Sequence, residues 1–366
     1  MDEQRTPDYL LFTMVMILSG VGIVMIFSTS GIVALEKFGD KYFFLKRQFV
    51  WLIISTMAIM LTMKIDYHVY PKLTFPLLCT CLLLLILVLI PGIGVKINGA
   101  RRWLKISNFT FQVSEMAKLI LVIYLAGAMT RKEGKLKEFR QGFLPLIIIT
   151  SICCVLILAE PDLGTAAIIL LVTSLLLFIG GVSLLHLFGL AGLAVPLIAL
   201  LISKKPYMLQ RCLSFLDPWQ DPLGKGYHIV QGLIALGSGG VHGRGLGEGI
   251  QKMFYLPEAH TDFIFAIIGE EMGFIGTSLV LTLFFIVIMR GIKIALRCED
   301  MYGCLLAAGI VTIISLQAMI NIGVVVNLLP ITGTTLPFIS YGGSSLLINL
   351  TAVGILLNIS AHNSEA

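Results

Sequence analysis

Long apolar runs alternate with short polar connections along almost the whole chain. The runs cover 9–29, 48–63, 74–90, 115–130, 143–159, 163–181, 186–202, 262–289, 302–326 and 338–359. About 20 apolar residues carry a helix once across a bilayer, so the pattern predicts ten transmembrane helices. The runs are continuously apolar, whereas the strands of a membrane barrel alternate. The second and third runs are short, and the eighth is long enough to tilt. The first run lacks a basic leader and an A-x-A-like cleavage site, and it reads as a retained helix rather than a signal peptide.

Two segments break the rhythm. Between 203 and 261 lie Pro206, Pro218, Pro222 and Pro257, with seven glycines from Gly237 to Gly249. Connections this long inside a compact protein tend to be functional. Within this segment, 227–236 predicts a short helix lying at the membrane interface. The stretch LPITGTTLPFISYGGSS, 329–345, is polar and rich in Gly and Pro. It predicts a partly re-entrant segment, which lipid tolerates only against protein or water. Its LPITG string matches a sortase signal, but the single terminal span and basic tail of such a signal are missing.

Composition agrees with a lipid solvent. Of 366 residues, 57% are hydrophobic and 13% charged, against about 25% charged in soluble domains. The mean hydropathy is +0.95. The fold class expected is an all-α polytopic membrane protein, a single domain over 1–366. The net charge of +5 suits membrane headgroups; no dense basic run with interleaved aromatics points to nucleic acid. Seven cysteines, an odd number without a C-x-x-C pair, argue against a disulfide framework or a zinc site. Orientation is less clear from charge. With the N-terminus inside, the inner segments hold 11 Lys and Arg, Arg5 among them, and the outer segments 14, of which 6 lie in the long loop. Long loops obey the positive-inside rule poorly; without that loop both termini fall in the cytoplasm. The remaining outer positives then suit an anionic ligand.

Ionisable residues in or beside spans are costly and mark candidate sites. Glu115 and Lys118 in FQVSEMAKL share a helix face and can pair, either as a structural ion pair or as a substrate contact. Asp162 in AEPDLGTA sits in a short turn, where it either caps the next helix or serves a site. Glu258, His260 and Asp262 cluster where the long loop meets the eighth span, with Glu270 and Glu271 two turns deeper. Glu258-x-His260-x-Asp262 has a spacing that would also admit a metal. Lys46 and Arg47 flank the second span, and Arg101, Arg102 and Lys105 surround Trp103 in NGARRWLKI. Arg forks there would hold a diphosphate. The glycines of 237–249 lack the Gly-Lys-Ser/Thr ending of a P-loop. Charged residues gather at one membrane face instead of stringing along a midplane path, which favours an interfacial enzyme acting on a lipid-linked anion over a channel or pump. Paired broken helices in two matching halves would favour a transporter.

NGARRWL, FQVSEMAKL, EPDLGTA, LPEAHTDFIFAIIGEEMGFIG and LPFISYGGSS together resemble the SEDS proteins of cell shape, division and sporulation, the FtsW/RodA group. The likeness runs in order through nearly the whole chain. Short ends make it look most like the sporulation members, and Val113 stands where the family usually has proline. The resemblance implies ten spans with both termini cytoplasmic in the cell membrane, septal or forespore. It implies polymerisation of lipid II on the outer face as a peptidoglycan glycosyltransferase, with a class B penicillin-binding protein as partner. It places the catalytic aspartate at Asp262 and the family's other motif residues at Glu115, Lys118 and Asp162. Arg47, Arg101, Arg102, Glu258, His260, Glu270, Glu271 and Ser344 complete the expected substrate-binding set. No cofactor is required by a motif; a divalent cation, Mg or Mn, is one candidate for neutralising the diphosphate. A lipid II flippase and a non-catalytic scaffold for the transpeptidase are the rival readings.

Overall fold

The computed structural model describes residues 6–97, 99–106, 109–204, 206–253 and 255–362. Arg5 of the charge count, Asn98 of the basic motif and Lys205 of the long loop lie outside the described residues. The expected helices form. They are α1 (Tyr9–Phe38), α2 (Phe43–Thr62), α3 (Tyr70–Leu89), α4 (Val113–Arg131), α5 (Leu144–Ala159), α6 (Leu163–Ile179) and α7 (Leu184–Lys204). After the long connection come α10 (Ile264–Arg297), α11 (Met301–Val325) and α12 (Gly343–His362). Nine of these, with short helical turns leading into α3 and α5, are long and apolar enough to cross a membrane; α6, at 17 residues, is the short tenth. The chain is a multi-pass membrane protein.

Local chemistry sets the ends. Asp8 caps α1 by accepting from Leu11 N at 3.0 Å, and Gly39 closes it in the left-handed region at φ 70°. Asp162 caps α6, accepting from Thr165 N at 3.1 Å. α10 runs 34 residues, but Gly273 breaks its backbone at φ 64°. The centre of the bundle is made by α4, α11 and α12, while none of the described residues of α7 is buried. α12 packs closely on α2. A Cβ at Gly354 would fall 2.0 Å from Thr62 Oγ1 and 2.8 Å from the Ile59 carbonyl oxygen, so only a hydrogen fits between these two backbones.

The structure adds what apolar periodicity did not show. Residues 94–112 form a three-stranded antiparallel sheet of β1 (Gly94–Ile97), β2 (Ala100–Ile106) and β3 (Phe109–Gln112), in the order β1-β2-β3. The long connection carries two helices, α8 (Pro206–Leu216) and α9 (Tyr227–Ser238). α9 coincides with the short helix expected at 227–236; α8 was not anticipated. The stretch 326–342 is irregular yet largely covered by protein, with Thr334, Leu336, Phe338, Ile339 and Ser340 buried. The irregular backbone expected over 329–345 is thus covered by protein up to the start of α12 at Gly343. It reaches α1, where a Cβ on Gly22 would lie 2.8 Å from the Ile339 backbone.

Candidate active site

Asp262 stands two residues before α10 and is fixed by its backbone from two sides. Asn321 of α11 donates through Nδ2 to the Asp262 carbonyl at 2.8 Å and to the Thr334 carbonyl at 2.7 Å. Ser340 Oγ donates to the neighbouring Thr261 carbonyl at 2.6 Å. The carboxylate itself accepts no hydrogen bond from the described residues. Its Oδ2 lies 3.7 Å from where a Cβ on Gly333 would stand, and Gly333, at φ 79°, needs to be glycine. Burial, and then the charge of Glu258, push the Asp262 carboxyl up to about 7, while Arg211 and Arg102 oppose that rise. A carboxylate without a donor, poised near neutrality, has the properties of a general base.

The EPD turn forms the facing wall. A Cβ on Gly164 would meet Thr334 Cγ2 at 3.0 Å and the Thr332 carbonyl at 3.1 Å, so α6 begins directly against the irregular stretch beside Asp262. Asp162 is buried. Its Oδ2 accepts from Thr165 Oγ1 at 3.0 Å and Gln112 Nε2 at 3.3 Å, and lies 3.9 Å from Arg102 Nη1. Arg102 also donates through Nε to the Glu160 carbonyl at 3.2 Å and through Nη2 to the Pro161 carbonyl. The capping and site readings of Asp162 therefore coincide: the cap is also the clamp that aims Arg102. Strand alternation sends Arg101 to the opposite face of β2, and no described residue pairs with it. The two arginines expected to hold a diphosphate therefore lie on opposite faces of β2, and only Arg102 faces Asp162.

Other expected residues divide in the same way. Arg47 stacks over Phe43 at 4.4 Å and acts electrostatically on Tyr341. Tyr341 belongs to an aromatic group with Phe44 and His260, whose ring centroids lie 4.8–5.6 Å apart. Burial lowers the His260 pKa and favours the neutral imidazole. Arg47 and His260 thus border the Asp262 site. Glu258 is exposed and bonds back to Thr261 Oγ1 at 2.9 Å. Among the described residues no three His, Cys, Asp or Glu side chains are grouped to hold a metal ion.

Of the two readings of Lys118, the structure shows the ion pair with Glu115. It is buried in α4, 2.9 Å from Glu115 Oε1 and 2.8 Å from Gln317 Oε1. Gln317 continues the network to the Thr335 carbonyl at 3.1 Å and Ser345 Oγ at 3.4 Å. The ion pair braces α4, α11, α12 and the irregular stretch beneath Asp262. Ser345, rather than Ser344, joins this network; Ser344 is buried beside it. Glu270 and Glu271, expected among the substrate-binding residues, face the glycine-rich loop. Glu270 accepts from Ile250 N at 2.7 Å and Gln251 N at 3.2 Å. Glu271 accepts from Ser28 Oγ at 2.6 Å, Gly247 N at 3.1 Å and Lys252 Nζ at 2.5 Å. Their oxygens are spent on holding the glycine-rich loop.

Two residues escaped the sequence reading. Arg211 of α8 donates to the Ile331 carbonyl at 3.1 Å and acts electrostatically on Asp262. Its signal was the amphipathic run 206–216, obscured by prolines on either side. Glu160 is buried, its carboxyl oxygens accept no hydrogen bond from described residues, and burial pushes it up to about 8. It stands protonated at neutral pH behind Arg102.

A half-buried carboxylate within electrostatic reach of Arg102 and Arg211, at the end of a bundle of long apolar helices, defines an integral membrane protein with a polar site at one end of its bundle. Sequence comparison resolves the class further. The profile of the FtsW/RodA/SpoVE family, described as "Cell cycle protein", matches residues 8–365, and the chain belongs to that family. It is 44% identical to the probable peptidoglycan glycosyltransferase FtsW of Geobacter sp. (strain M18), over 97% of both chains. It is also 44% identical to stage V sporulation protein E of Bacillus subtilis (strain 168), over 99% of both. Identity therefore does not separate the division from the sporulation members. Among solved structures, one from a study of polymerisation and crosslinking by a peptidoglycan synthase complex aligns with TM-score 0.78 and 30% identity, over 98% of this chain and 99% of that one. The rod shape determining protein RodA of Thermus thermophilus aligns with TM-score 0.72 and 28% identity, over 98% of both.

Proposed function

We propose that this chain is a peptidoglycan glycosyltransferase that polymerises lipid II on the outer face of the cytoplasmic membrane, for septal wall or spore cortex. The observation that carries the reading is the Asp262 carboxylate, which accepts no hydrogen bond from the described residues and is raised to about 7 by burial and Glu258 against the opposing charges of Arg211 and Arg102. The names of the relatives at 44% identity agree with it. In this reading ten spans return both termini to the cytoplasmic face and leave Asp262 on the outer one.

In the proposed step, the 4-hydroxyl of an acceptor GlcNAc attacks C1 of the donor sugar. The new C–O bond forms as the bond to undecaprenyl diphosphate breaks, and the leaving group takes that electron pair. Asp262 accepts the hydroxyl proton, without which the alcohol is a poor nucleophile. Arg102 and Arg211 stabilise the diphosphate charge, with Arg47 at the rim. A divalent cation, Mg or Mn, would in this reading arrive on the diphosphate rather than on a protein-made centre. The partner proposed is a class B penicillin-binding protein, consistent with the synthase complex to which the fold is similar.

Purified protein with its partner, given labelled lipid II, should make polymer. Asp262→Asn should lose about 100-fold or more of that rate, the range of a removed general base. Lipid II translocation in liposomes that survives Asp262→Asn, with no polymer from the wild type, would establish the flippase instead. Full complementation in cells by Asp262→Asn would establish the scaffold.

A further inference from the structure

α10 connects the two faces of the bundle. It begins beside Asp262 and ends, about 50 Å of helix later, at Arg297. At that far end a cavity of about 270 Å³ opens between the start of α1, the end of α10 and the end of α12, near the lower end of ligand-sized pockets. Its lining includes Asp8, Tyr9, Arg290, Lys293, Arg297 and Ser360. The three cations are spaced three and four residues apart, so they share one helix face.

Asp8 is the carboxylate in this lining, and it is already engaged. It caps α1, and its Oδ2 lies 2.8 Å from Arg290 Nε and 2.7 Å from Arg290 Nη2. The backbone N–H of Asp8 donates to Ser360 Oγ at 3.0 Å. These bonds tie the three segments together and neutralise Arg290. Lys293 and Arg297 have no partner among the described residues, and both are exposed. The wall next to them is apolar and open to lipid: Leu296 is 80% exposed, with Met289, Ile292 and Leu10 also uncovered. The pocket thus combines two cations without a partner among the described residues with a hydrocarbon-facing flank at the headgroup level.

We propose that this pocket binds the phosphodiester headgroup of an anionic phospholipid, such as phosphatidylglycerol, on the membrane face opposite Asp262. Lys293 and Arg297 hold the phosphate. Arg290, locked by Asp8, fixes the geometry, and the acyl chains run along the exposed side of α10. A zwitterionic lipid brings its own cation to the same place and gains less. The site is independent of the glycosyl-transfer reading, because it shares no residue with the Asp262 face.

The full-length chain in nanodiscs of phosphatidylcholine containing phosphatidylglycerol, released into native mass spectrometry, tests this. The wild type should retain phosphatidylglycerol over phosphatidylcholine. The Lys293→Gln/Arg297→Gln variant should hold it about 25-fold more weakly, at roughly fivefold per juxtamembrane cation. Unchanged thermal unfolding in pure phosphatidylcholine shows that the variant is folded. Lys135→Gln/Lys137→Gln, exposed on the same face, should retain the lipid as the wild type does. Equal loss in both variants overturns the site in favour of general surface charge, and equal retention of the two lipids overturns it outright. Displacement of the lipid by millimolar inorganic phosphate assigns the pocket to free phosphate and overturns the lipid reading.

Discussion

Lys252 and Glu271 are 19 residues apart in sequence, and Nζ of one lies 2.5 Å from Oε1 of the other. Both are buried. Ser28 Oγ bridges them, donating to Glu271 and accepting from Lys252 at 2.9 Å. Glu270 receives the backbone of Ile250 and Gln251 from the same loop. A pair of adjacent carboxylates that looks unaffordable in a hydrophobic helix is therefore the anchor of the glycine-rich loop. Neither carboxylate needs a substrate to justify it.

Removing one partner of a buried ion pair strands the other, at about 3–5 kcal/mol. Lys252→Met should therefore lower stability by about that much, seen as a large fall in Tm in detergent. Lys252→Met/Glu271→Gln should regain most of it. A single variant with wild-type Tm would show that the loop is not held by this pair.

The ten spans were legible because each is a simple count of apolar residues against bilayer thickness, and lipid leaves few alternatives to helix. Asp262, Asp162 and Arg102 were legible because charge beside a span is conspicuous. What could not be read was partnership. Nothing local distinguishes Lys118, buried between Glu115 and Gln317, from Arg102, which keeps part of its side chain exposed while bonded to the EPD turn. Glu271 finds Lys252 only after the chain has turned through Gly249 and Gly243, whose backbones press on Glu270 and Glu271. The sheet at 94–112 was hidden because its strands are four to seven residues long. Alternation within β2 then decides that Arg102, and not Arg101, meets Asp162. Arg211 was missed because α8 is amphipathic rather than apolar.

Lys118 is expected to behave as a brace rather than as a ligand. Lys118→Met leaves Glu115 buried without its cation and should cost about 3–5 kcal/mol, with activity lost through misfolding. Glu115→Gln/Lys118→Met removes both charges and should recover stability and a large part of polymerisation. A stable double variant that remains inactive would return Lys118 to the substrate.

The pH dependence follows from the raised Asp262 pKa. The base works ionised, so polymerisation should climb about tenfold per pH unit below 7 and level off above it. Stability runs the other way. A carboxyl whose folded pKa exceeds its unfolded value disfavours the folded state once the unfolded chain ionises. The penalty grows from about pH 4 and is complete above about pH 7. Asp262→Asn should therefore unfold at higher temperature than the wild type at pH 8, with the advantage vanishing near pH 4. Thermal scans of both proteins across that range check the sign; an asparagine variant less stable at pH 8 than at pH 4, relative to wild type, contradicts it.

Arg211 provides the sharpest separation of field from contact. Its charge, with that of Arg102, opposes the rise of the Asp262 pKa. Arg211→Gln removes that opposition but keeps a donor for the Ile331 carbonyl. The midpoint of the pH–rate profile should then move above 7, and the deficit should shrink as pH rises. Arg211 also faces the proposed diphosphate, so a loss of affinity should appear as a higher KM at every pH. If Arg211→Gln raised KM without moving the midpoint, the arginine would act on substrate alone. A midpoint that moved with KM unchanged would place it behind the base. The expected result is both, because α8 holds the guanidinium against the same irregular stretch that carries Gly333 to Asp262.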